Sequence, residues 1–354
     1  MRRLLYSDFE TIAKKYRENI FKNLKQKPKA NLLSLKKKIV LTPRNKYRHY
    51  IDYIDEIINN FDDENNPEDF LLAKPSEIMA SWKKICSSTP LTSGDFFLKH
   101  PALNPNLIDF KNTLWGGRRN KIQFNDAIVN ALRYDYVRNS PNGFISYFDD
   151  LKINACVYCN ASYIVNTNMF SLTPNGKTSL EIMGRYELDH YLPKSQFPFL
   201  CVSFYNLQPS CPFCNRWKSI KDSDFNLYTE DPADIDPFEF EFSPNVIKRL
   251  AINKSKSVKN ILLNCKDNNL LTNHNDIFHL EELYKSFDDE VEELLWYKNA
   301  QTKGYLKNIK ATYRKFLSND QIVRLLYRFY ANEDIHKRPL SKMRLDLAKK
   351  LKLY

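Results

Sequence analysis

Four cysteines with a repeated spacing are the part of this 354-residue sequence that most directly predicts chemistry. They form two Cys-x-x-Cys pairs, Cys156/Cys159 and Cys211/Cys214. Each pair places two thiolates on one side of a tight turn, and four thiolates make the closed tetrahedral ligand set of a structural zinc site. The chain between the pairs must then form a hairpin that returns the second pair to the first. A zinc site without any catalytic role stays open as an alternative.

Polar residues between and beside the two pairs add a second kind of chemistry. Asp189-His190 and Asn206 lie between the pairs, and Asn215 follows the second pair directly. A neutral histidine, with an ordinary pKa of about 6.5, can accept a proton from water at neutral pH. Carboxylate and amide oxygens bind hard divalent cations. Hydrolysis of a phosphodiester needs both, because a hydroxide must form and charge on the phosphate must be neutralised.

The surrounding sequence predicts the elements that would position these residues. Residues 186–192 alternate in polarity as a β-strand does, and Pro193 ends the run. Adjacent side chains of a flat strand point to opposite faces, so Asp189 and His190 reach one pocket only where the strand is twisted or bulged. Asn215 lies where a helix is expected to begin. We therefore expect a two-stranded hairpin followed by a helix, with the zinc site beneath it.

This set of residues resembles the signature of the HNH endonuclease family in its His-Asn-Asn form. The resemblance covers roughly residues 153–222. The matching positions are Asp189-His190, Asn206 and Cys211-x-x-Cys214-Asn215-x-x-Lys218. The family has a ββα-metal core, and some members carry a four-cysteine zinc site. The resemblance therefore implies a mainly α-helical fold with a small central α+β nuclease core held by zinc.

The resemblance also implies roles for single residues. His190 would be the general base that activates water, and Asn206 would fix the loop that orients it. Asp189 and Asn215 would hold a catalytic Mg²⁺ or Mn²⁺. The sequence departs from the name-giving pattern at Asn215, where many members have a second histidine. Because an amide oxygen is a harder ligand than imidazole, Mg²⁺ or Mn²⁺ is favoured over softer ions.

Basic residues flank the expected pocket. Lys194, Arg216 and Lys218 can bind phosphates next to the one that is cleaved. A solvated surface position is the alternative for each of them.

A longer set of matching strings narrows the resemblance. The strings are Cys-x-Tyr-Cys-Asn, Leu-Asp-His-Tyr-Leu-Pro-Lys-Ser-x-Phe-Pro and Tyr-Asn-Leu-x-Pro-x-Cys-x-x-Cys-Asn. They are similar to the HNH subfamily of bacterial anti-phage systems, which includes the nuclease subunit of Septu-type and retron-associated modules. This similarity implies DNA as the favoured substrate and an ATPase partner that restrains or triggers the nuclease.

Two other functions stay open. One is a zinc-stabilised nucleic-acid-binding or adaptor module without catalysis, although such a module has no need of Asp189-His190 in register with Asn206 and Asn215. The other is an RNA-cleaving toxin nuclease that uses the same base, His190. The remaining histidines have no comparable neighbours in sequence and are expected to be structural; they are His49, His100, His274, His279 and His336.

The composition indicates an ordinary globular protein, with 43% hydrophobic and 27% charged residues. Only 7 glycines argue against Gly-rich phosphate loops and a β-rich architecture. No apolar run approaches the roughly 18 residues of a membrane span, and the N-terminus lacks the features of a signal peptide. We expect a cytoplasmic protein with no membrane partner. In that reducing compartment Cys86, Cys201 and Cys265 are expected to be buried small hydrophobic residues.

The charge is concentrated at the start of the chain. The chain has a net charge of +12, and residues 1–50 account for all of it, because the rest is balanced. Such a segment can neutralise the phosphates of nucleic acid. A solvated helix face, or a contact with an acidic partner protein, explains the same charge equally well.

The organisation of the chain is predicted as three regions. Residues 1–140 form a basic helical region, 141–230 the nuclease core, and 231–354 a linker and short strand followed by a helical region. The flanking regions are expected to bind a partner or gate the substrate. Helices are expected at 1–30, 47–60, 76–88 and 125–138, and a strand at 238–242. Apolar stripes at 280–295, 309–317 and 340–351 are expected to face the core.

Overall fold

The described part of the chain, taken from a computed structural model, is mainly helical. It comprises residues 1–40, 48–60, 70–79, 108–109, 121–122, 124–172, 178–243, 261–300 and 303–353. Cys86, His100 and positions 80–88 of the expected helix at 76–88 lie outside these residues, whereas 75–79 are helical. No helix in the described ranges combines the length and the apolar character that a bilayer crossing requires.

The α-helices follow in chain order. They are α1 (Tyr6–Asn19), α2 (Pro28–Val40), α3 (Arg48–Asn60), α4 (Phe124–Ala131), α5 (Tyr134–Asn139), α6 (Ile145–Phe148), α7 (Pro212–Lys218), α8 (Asn268–Phe278), α9 (Leu280–Tyr284), α10 (Asp288–Ala300), α11 (Lys303–Tyr313), α12 (Asn319–Tyr327) and α13 (Ser341–Lys350). Short 3-10 helices include Pro198–Leu200 and Phe204–Asn206.

The described strands form two-stranded sheets. They are β1 (Leu4–Leu5), β2 (Ile108–Asp109), β3 (Lys121–Ile122), β4 (Val165–Leu172), β5 (Thr178–Arg185), β6 (Glu187–His190), β7 (Leu207–Ser210), β8 (Tyr228–Thr229), β9 (Phe238–Phe242) and β10 (Ile261–Cys265). The antiparallel pairs are β2 with β3, β4 with β5, β6 with β7 and β9 with β10, whereas β1 pairs with β8 in parallel.

The N-terminal helices are shorter than the periodicity predicted. A single helix was expected at 1–30, but α1 ends at Asn19 and α2 begins at Pro28. Proline at the first helical position explains the new start, because it lacks an N–H that the first turn does not use. Likewise, the helix expected at 125–138 is divided by Arg133, whose φ of 63° is left-handed.

One continuous set of buried side chains includes residues from all three expected regions. Tyr16 of α1 lies at its centre, with its ring 5.4 Å from that of Phe204. The hydroxyl of Tyr16 donates to the carbonyl of Val202 at 2.7 Å. The segment around residues 202–204, which leads into β7, is therefore held by the N-terminal helix.

The C-terminal elements confirm some of the sequence predictions and contradict one. The strand expected at 238–242 is β9, and α13 packs against it with Met343 and Leu347 fully buried. The apolar stripe expected at 309–317 does not face a core, since Tyr313 is 37% and Phe316 81% exposed. The prediction was wrong because no described element packs extensively on α11.

Candidate functional site

The four predicted cysteine ligands come together in space. Their Sγ atoms all lie within 4.8 Å of one another, and all four residues are buried. A tetrahedral site with Zn–S bonds of about 2.3 Å places its sulfur atoms about 3.8 Å apart, so the cluster fits a metal such as zinc. No other group of three His, Cys, Asp or Glu side chains converges in this way within the described ranges.

Two local turns place these sulfur atoms. Cys156 and Cys159 lie in a turn closed by the hydrogen bond from the Asn160 amide to the Cys156 carbonyl, at 2.8 Å. Cys211 caps α7, and Cys214 lies in its first turn. The backbone N–H of Cys211 donates to Sγ of Cys156 at 3.2 Å. Such a donor stabilises negative charge on a sulfur, which is the form that binds a metal.

The candidate base lies on a strand that leads to this cluster. β6 pairs antiparallel with β7, with Asp189 opposite Gln208 and His190 opposite Leu207. β7 ends at Ser210, and α7 begins two residues later. Two antiparallel strands followed by a helix are thus present in the predicted order. That this unit is a nuclease core stays a prediction.

His190 has a defined tautomer. Its Nε2 lies 3.0 Å from the carbonyl oxygen of Cys201. Because a carbonyl only accepts, Nε2 carries the hydrogen and Nδ1 keeps its lone pair. Burial, aided by the nearby charge of Lys194, lowers the pKa of His190 to about 3. The imidazole is therefore neutral at physiological pH, and the residue is only 5% exposed.

Asn206 holds the segment that follows His190. Its Oδ1 accepts from the amide of Leu192 at 2.8 Å, and its Nδ2 donates to the carbonyls of Leu192 and Leu200, both at 3.1 Å. The residue has no exposed surface. These three bonds fix the loop between β6 and the 3-10 helix Pro198–Leu200, and this loop leads to the Cys201 carbonyl that orients His190.

Asp189 faces a different set of neighbours from His190. Its Oδ2 accepts a hydrogen bond from the hydroxyl of Tyr158 at 2.5 Å and lies 3.3 Å from Nζ of Lys218. Burial raises the pKa of Asp189, and the positive charge of Lys218 opposes that rise. Tyr158 lies between the two cysteines of the first pair, so the carboxylate is tied to the metal cluster.

The position of Lys218 corrects an expectation from the sequence. Lys218 was expected to bind phosphate from the protein surface, but its side chain is 0% exposed. Its Nζ donates to the carbonyl of His190 at 2.6 Å and pairs with Asp189. A buried ammonium held by two protein groups cannot contact a substrate phosphate in this conformation.

The other predicted contacts lie nearer the surface. Lys194 is half-buried, and its Nζ lies 4.6 Å from the ring centre of Tyr134. That ring also packs against His190 at 5.0 Å. Arg216 is exposed on α7. Asn215 is half-buried, and its side chain makes no hydrogen bond among the described residues, so its amide oxygen remains available as a ligand.

Sequence reasoning did not assign roles to Tyr158, Tyr134 or Cys201. The string Cys-x-Tyr-Cys contained Tyr158 but gave no reason for the tyrosine. Cys201 is buried as expected, yet its contribution is a backbone carbonyl, which every residue has. No sequence signal could have identified that contact.

Comparisons with known proteins add no assignment to this geometry. No family model matches the chain, and neither a curated protein nor a solved structure matches it significantly.

Proposed function

We propose that this chain is a metal-dependent endonuclease of the HNH type, with DNA as its preferred substrate. One observation carries the proposal. His190 is held on β6 with its Nε2–H bound to the Cys201 carbonyl, so that Nδ1 is the proton-accepting nitrogen. It lies within a strand–strand–helix unit that supplies Cys211 and Cys214 to the four-cysteine cluster, which we assign to a structural zinc ion.

In the proposed reaction, Nδ1 of His190 takes a proton from the attacking water. A pKa of about 3 makes the buried imidazole a weak base. A bound phosphodiester would raise that pKa, because a nearby negative charge favours the imidazolium form. The Cys201 carbonyl and the loop fixed by Asn206 hold the ring while the proton moves.

We assign the second metal ion of the proposed reaction to Asp189 and Asn215. Asp189 would contribute a carboxylate oxygen and Asn215 its amide oxygen, a donor set that favours Mg²⁺ or Mn²⁺. The ion would neutralise charge on the phosphate and the leaving oxygen. Lys218 holds the carboxylate in place, and its positive charge opposes the rise in the Asp189 pKa that burial causes.

The proposed biological setting is anti-phage defence in the bacterial cytoplasm, together with an ATPase partner. The matching strings around Asp189-His190 support this setting. The closed state of the site supports a requirement for activation, because His190 is 5% exposed and Lys218 is fully buried. A partner that opens the loop between His190 and Asn206 would expose the base.

The test is cleavage of supercoiled plasmid and of total RNA by the zinc-loaded protein. Mg²⁺ or Mn²⁺ is omitted and then added back, since a strong chelator would also remove structural zinc. We expect metal-dependent cutting of DNA, and a loss of at least about 100-fold in His190→Ala, the usual scale for losing a general base. His279→Asn is the matched control, because His279 is exposed and its left-handed φ of 51° suits asparagine.

A catalytically inactive zinc scaffold is the second candidate. The buried pair between Lys218 and Asp189 favours it, because an internal ammonium already occupies one side of the carboxylate. If neither polymer is cut by the folded, zinc-loaded protein, alone or with an ATPase encoded beside it, the scaffold replaces the nuclease. Preferential cutting of RNA would instead keep the site and change the substrate to that of a toxin nuclease.

A further inference from the structure

The C-terminal region contains a second concentration of positive charge. Residues 294–319 include Lys or Arg at positions 298, 303, 307, 310, 314 and 315, and they include no Asp or Glu. The chain beyond residue 50 has no net charge as a whole, so this stretch of six cations is a local excess. Such an excess attracts polyanions at a rate and affinity that depend on salt.

The basic side chains described in this stretch have no polar partner in the described part of the chain. They are Lys298, Lys307, Arg314 and Lys315, and all of them are exposed. None forms a hydrogen bond or an ion pair with another described residue. By contrast, Arg328 of the same region pairs with Glu293 at 2.9 Å. The free cations are therefore available to a ligand.

Large aromatic rings are exposed in the same stretch of the sequence. Phe316 is 81% exposed, Trp296 64% and Tyr313 37%. The amides of Phe316 and Leu317 both donate hydrogen bonds to the carbonyl of Tyr313, so α11 ends in a hydrogen-bonded turn. Phe316 lies in this turn with its ring exposed. An exposed phenylalanine beside an arginine and a lysine is a combination that suits stacked bases flanked by phosphates.

The helix that presents these groups has no extensive neighbour among the described elements. Lys307 lies in α11, and Arg314 follows its last residue, Tyr313. Seven residues span about two helical turns, so the two cations lie on one side of the helix, about 10 Å apart along its axis. Apolar residues at 309, 313 and 316 were expected in a core, but Ile309 is only half-buried, and Tyr313 and Phe316 are exposed.

We propose that α11 and the turn after it form a nucleic-acid-binding surface, which we call the α11 surface and define as Lys307, Arg314, Lys315 and Phe316. The inference rests on the proposed function, since it names where that nuclease holds its substrate away from the cleavage site. Cations bind the phosphates, and the ring of Phe316 stacks on an unpaired base.

An acidic protein would also be attracted to these cations, but the rings favour nucleic acid. Phe316 presents nearly its whole ring to solvent next to Arg314 and Lys315, and every nucleobase offers a π-face to such a ring. An acidic polypeptide offers carboxylates to the cations and no comparable partner to the ring. The contribution of Phe316 therefore separates the two classes of ligand.

The experiment measures binding of a labelled 30-nucleotide single strand and a 30-base-pair duplex by full-length, zinc-loaded protein without added Mg²⁺. The double variant Arg314→Glu/Lys315→Glu is compared with Lys266→Glu/Lys349→Glu, whose lysines are exposed and lie elsewhere. Both double variants change the net charge equally. We expect at least tenfold weaker binding in the first, and a slope of log K against log[KCl] reduced by about 1.8 for the duplex, at about 0.9 per phosphate contact.

Phe316→Ala supplies the second measurement. It leaves the charge unchanged, and we expect single-strand binding to weaken about tenfold and duplex binding to change little. Equal behaviour of the two charge-reversal variants would overturn the proposal. Poly-glutamate binding as tightly as the oligonucleotide, with no effect of Phe316→Ala, would also overturn it and assign the surface to an acidic polypeptide.

Binding and cleavage fail separately in this design. If wild-type protein cuts DNA but the α11 variants bind normally, the surface is wrong and the nuclease stands. If the α11 variants lose binding while no condition gives cleavage, the surface stands and the nuclease is wrong. Zinc content and melting temperature of each variant establish that it is folded.

Discussion

Lys218 ends α7 with its ammonium group inside the protein, 3.3 Å from Oδ2 of Asp189. Both charges have lost water, and each is compensated mainly by the other and by neutral groups, the Tyr158 hydroxyl and the His190 carbonyl. Removing one partner of such a pair leaves an uncompensated buried charge, which costs more than the pair itself contributes. The pair therefore holds β6 against α7.

We predict that Lys218→Met lowers the free energy of unfolding by about 3–5 kcal/mol. The double variant Asp189→Asn/Lys218→Met should lose less than the sum of the two single variants, because no lone charge remains. Urea unfolding measures all three. Lys221→Met, at an exposed lysine three residues on, should stay within about 0.5 kcal/mol of wild type. Additive costs of the two single variants would contradict the pairing.

At the scale of elements, the four-cysteine cluster joins parts of the chain that are far apart in sequence. The first cysteine pair lies before β4, whereas the second begins α7 directly after β7. Tyr158, between the two cysteines of the first pair, donates its hydroxyl hydrogen to Asp189 and so connects that pair to β6. The strands and the helix of the candidate site are thus all attached to the cluster. This attachment matters for their stability because β6 and β7 are only four residues each.

We predict that the protein binds about one zinc ion and that Cys214→Ala binds none. Without the metal, the four-residue strands lose their attachment, so limited proteolysis should increase within residues 187–218. Zinc content by atomic absorption and the mapping of cleavage sites test both statements. Cys201→Ala is the control, because Cys201 is a buried cysteine outside the cluster. Full zinc content in Cys214→Ala would contradict the assignment.

At the scale of the whole molecule, His336 connects three distant segments. Its Nε2–H donates to the carbonyl of Arg2 at 2.9 Å. Its own carbonyl accepts from the amides of Asn154 and Ala155, at 2.7 and 2.9 Å. Nδ1 is buried and has no hydrogen-bond partner in the described structure. A proton on Nδ1 would therefore place an unsatisfied charge inside the protein.

We predict that the stability contributed by neutral, buried His336 decreases in acid. Burial lowers the pKa of His336 to about 4 in the folded protein, whereas the unfolded chain has a pKa of about 6.5. The unfolded state therefore binds the proton first, and the stabilisation, complete above pH 6.5, is lost as the pH falls towards 4. At pH 5 the loss is about 2 kcal/mol.

His336→Gln tests this dependence, because glutamine keeps an N–H donor for the Arg2 carbonyl but does not titrate. Urea unfolding at pH 8, 6.5 and 5 should show a flatter profile for the variant than for wild type. His279→Asn, at an exposed histidine, should keep the wild-type profile. Parallel profiles for wild type and His336→Gln would show that the His336 pKa is not depressed.

The sequence by itself determined the local parts of this protein. The spacing of Cys156/Cys159 and Cys211/Cys214 predicted their convergence, because four thiolates at that spacing rarely serve any purpose other than metal binding in a reducing compartment. Alternating polarity predicted β6 and β9. Each of these features depends on residues close in sequence or on the chemistry of one side-chain type.

Only the tertiary structure decided which charges and faces are covered. Lys218 is a lysine at the end of a short helix, where exposure to solvent is expected, yet the packing of α7 on β6 buries it. The stripe through Tyr313 and Phe316 has the periodicity of a core helix, yet both side chains are exposed and no described element packs extensively on α11. Periodicity shows that a helix has an apolar face, but whether another element meets that face depends on contacts between residues far apart in the chain.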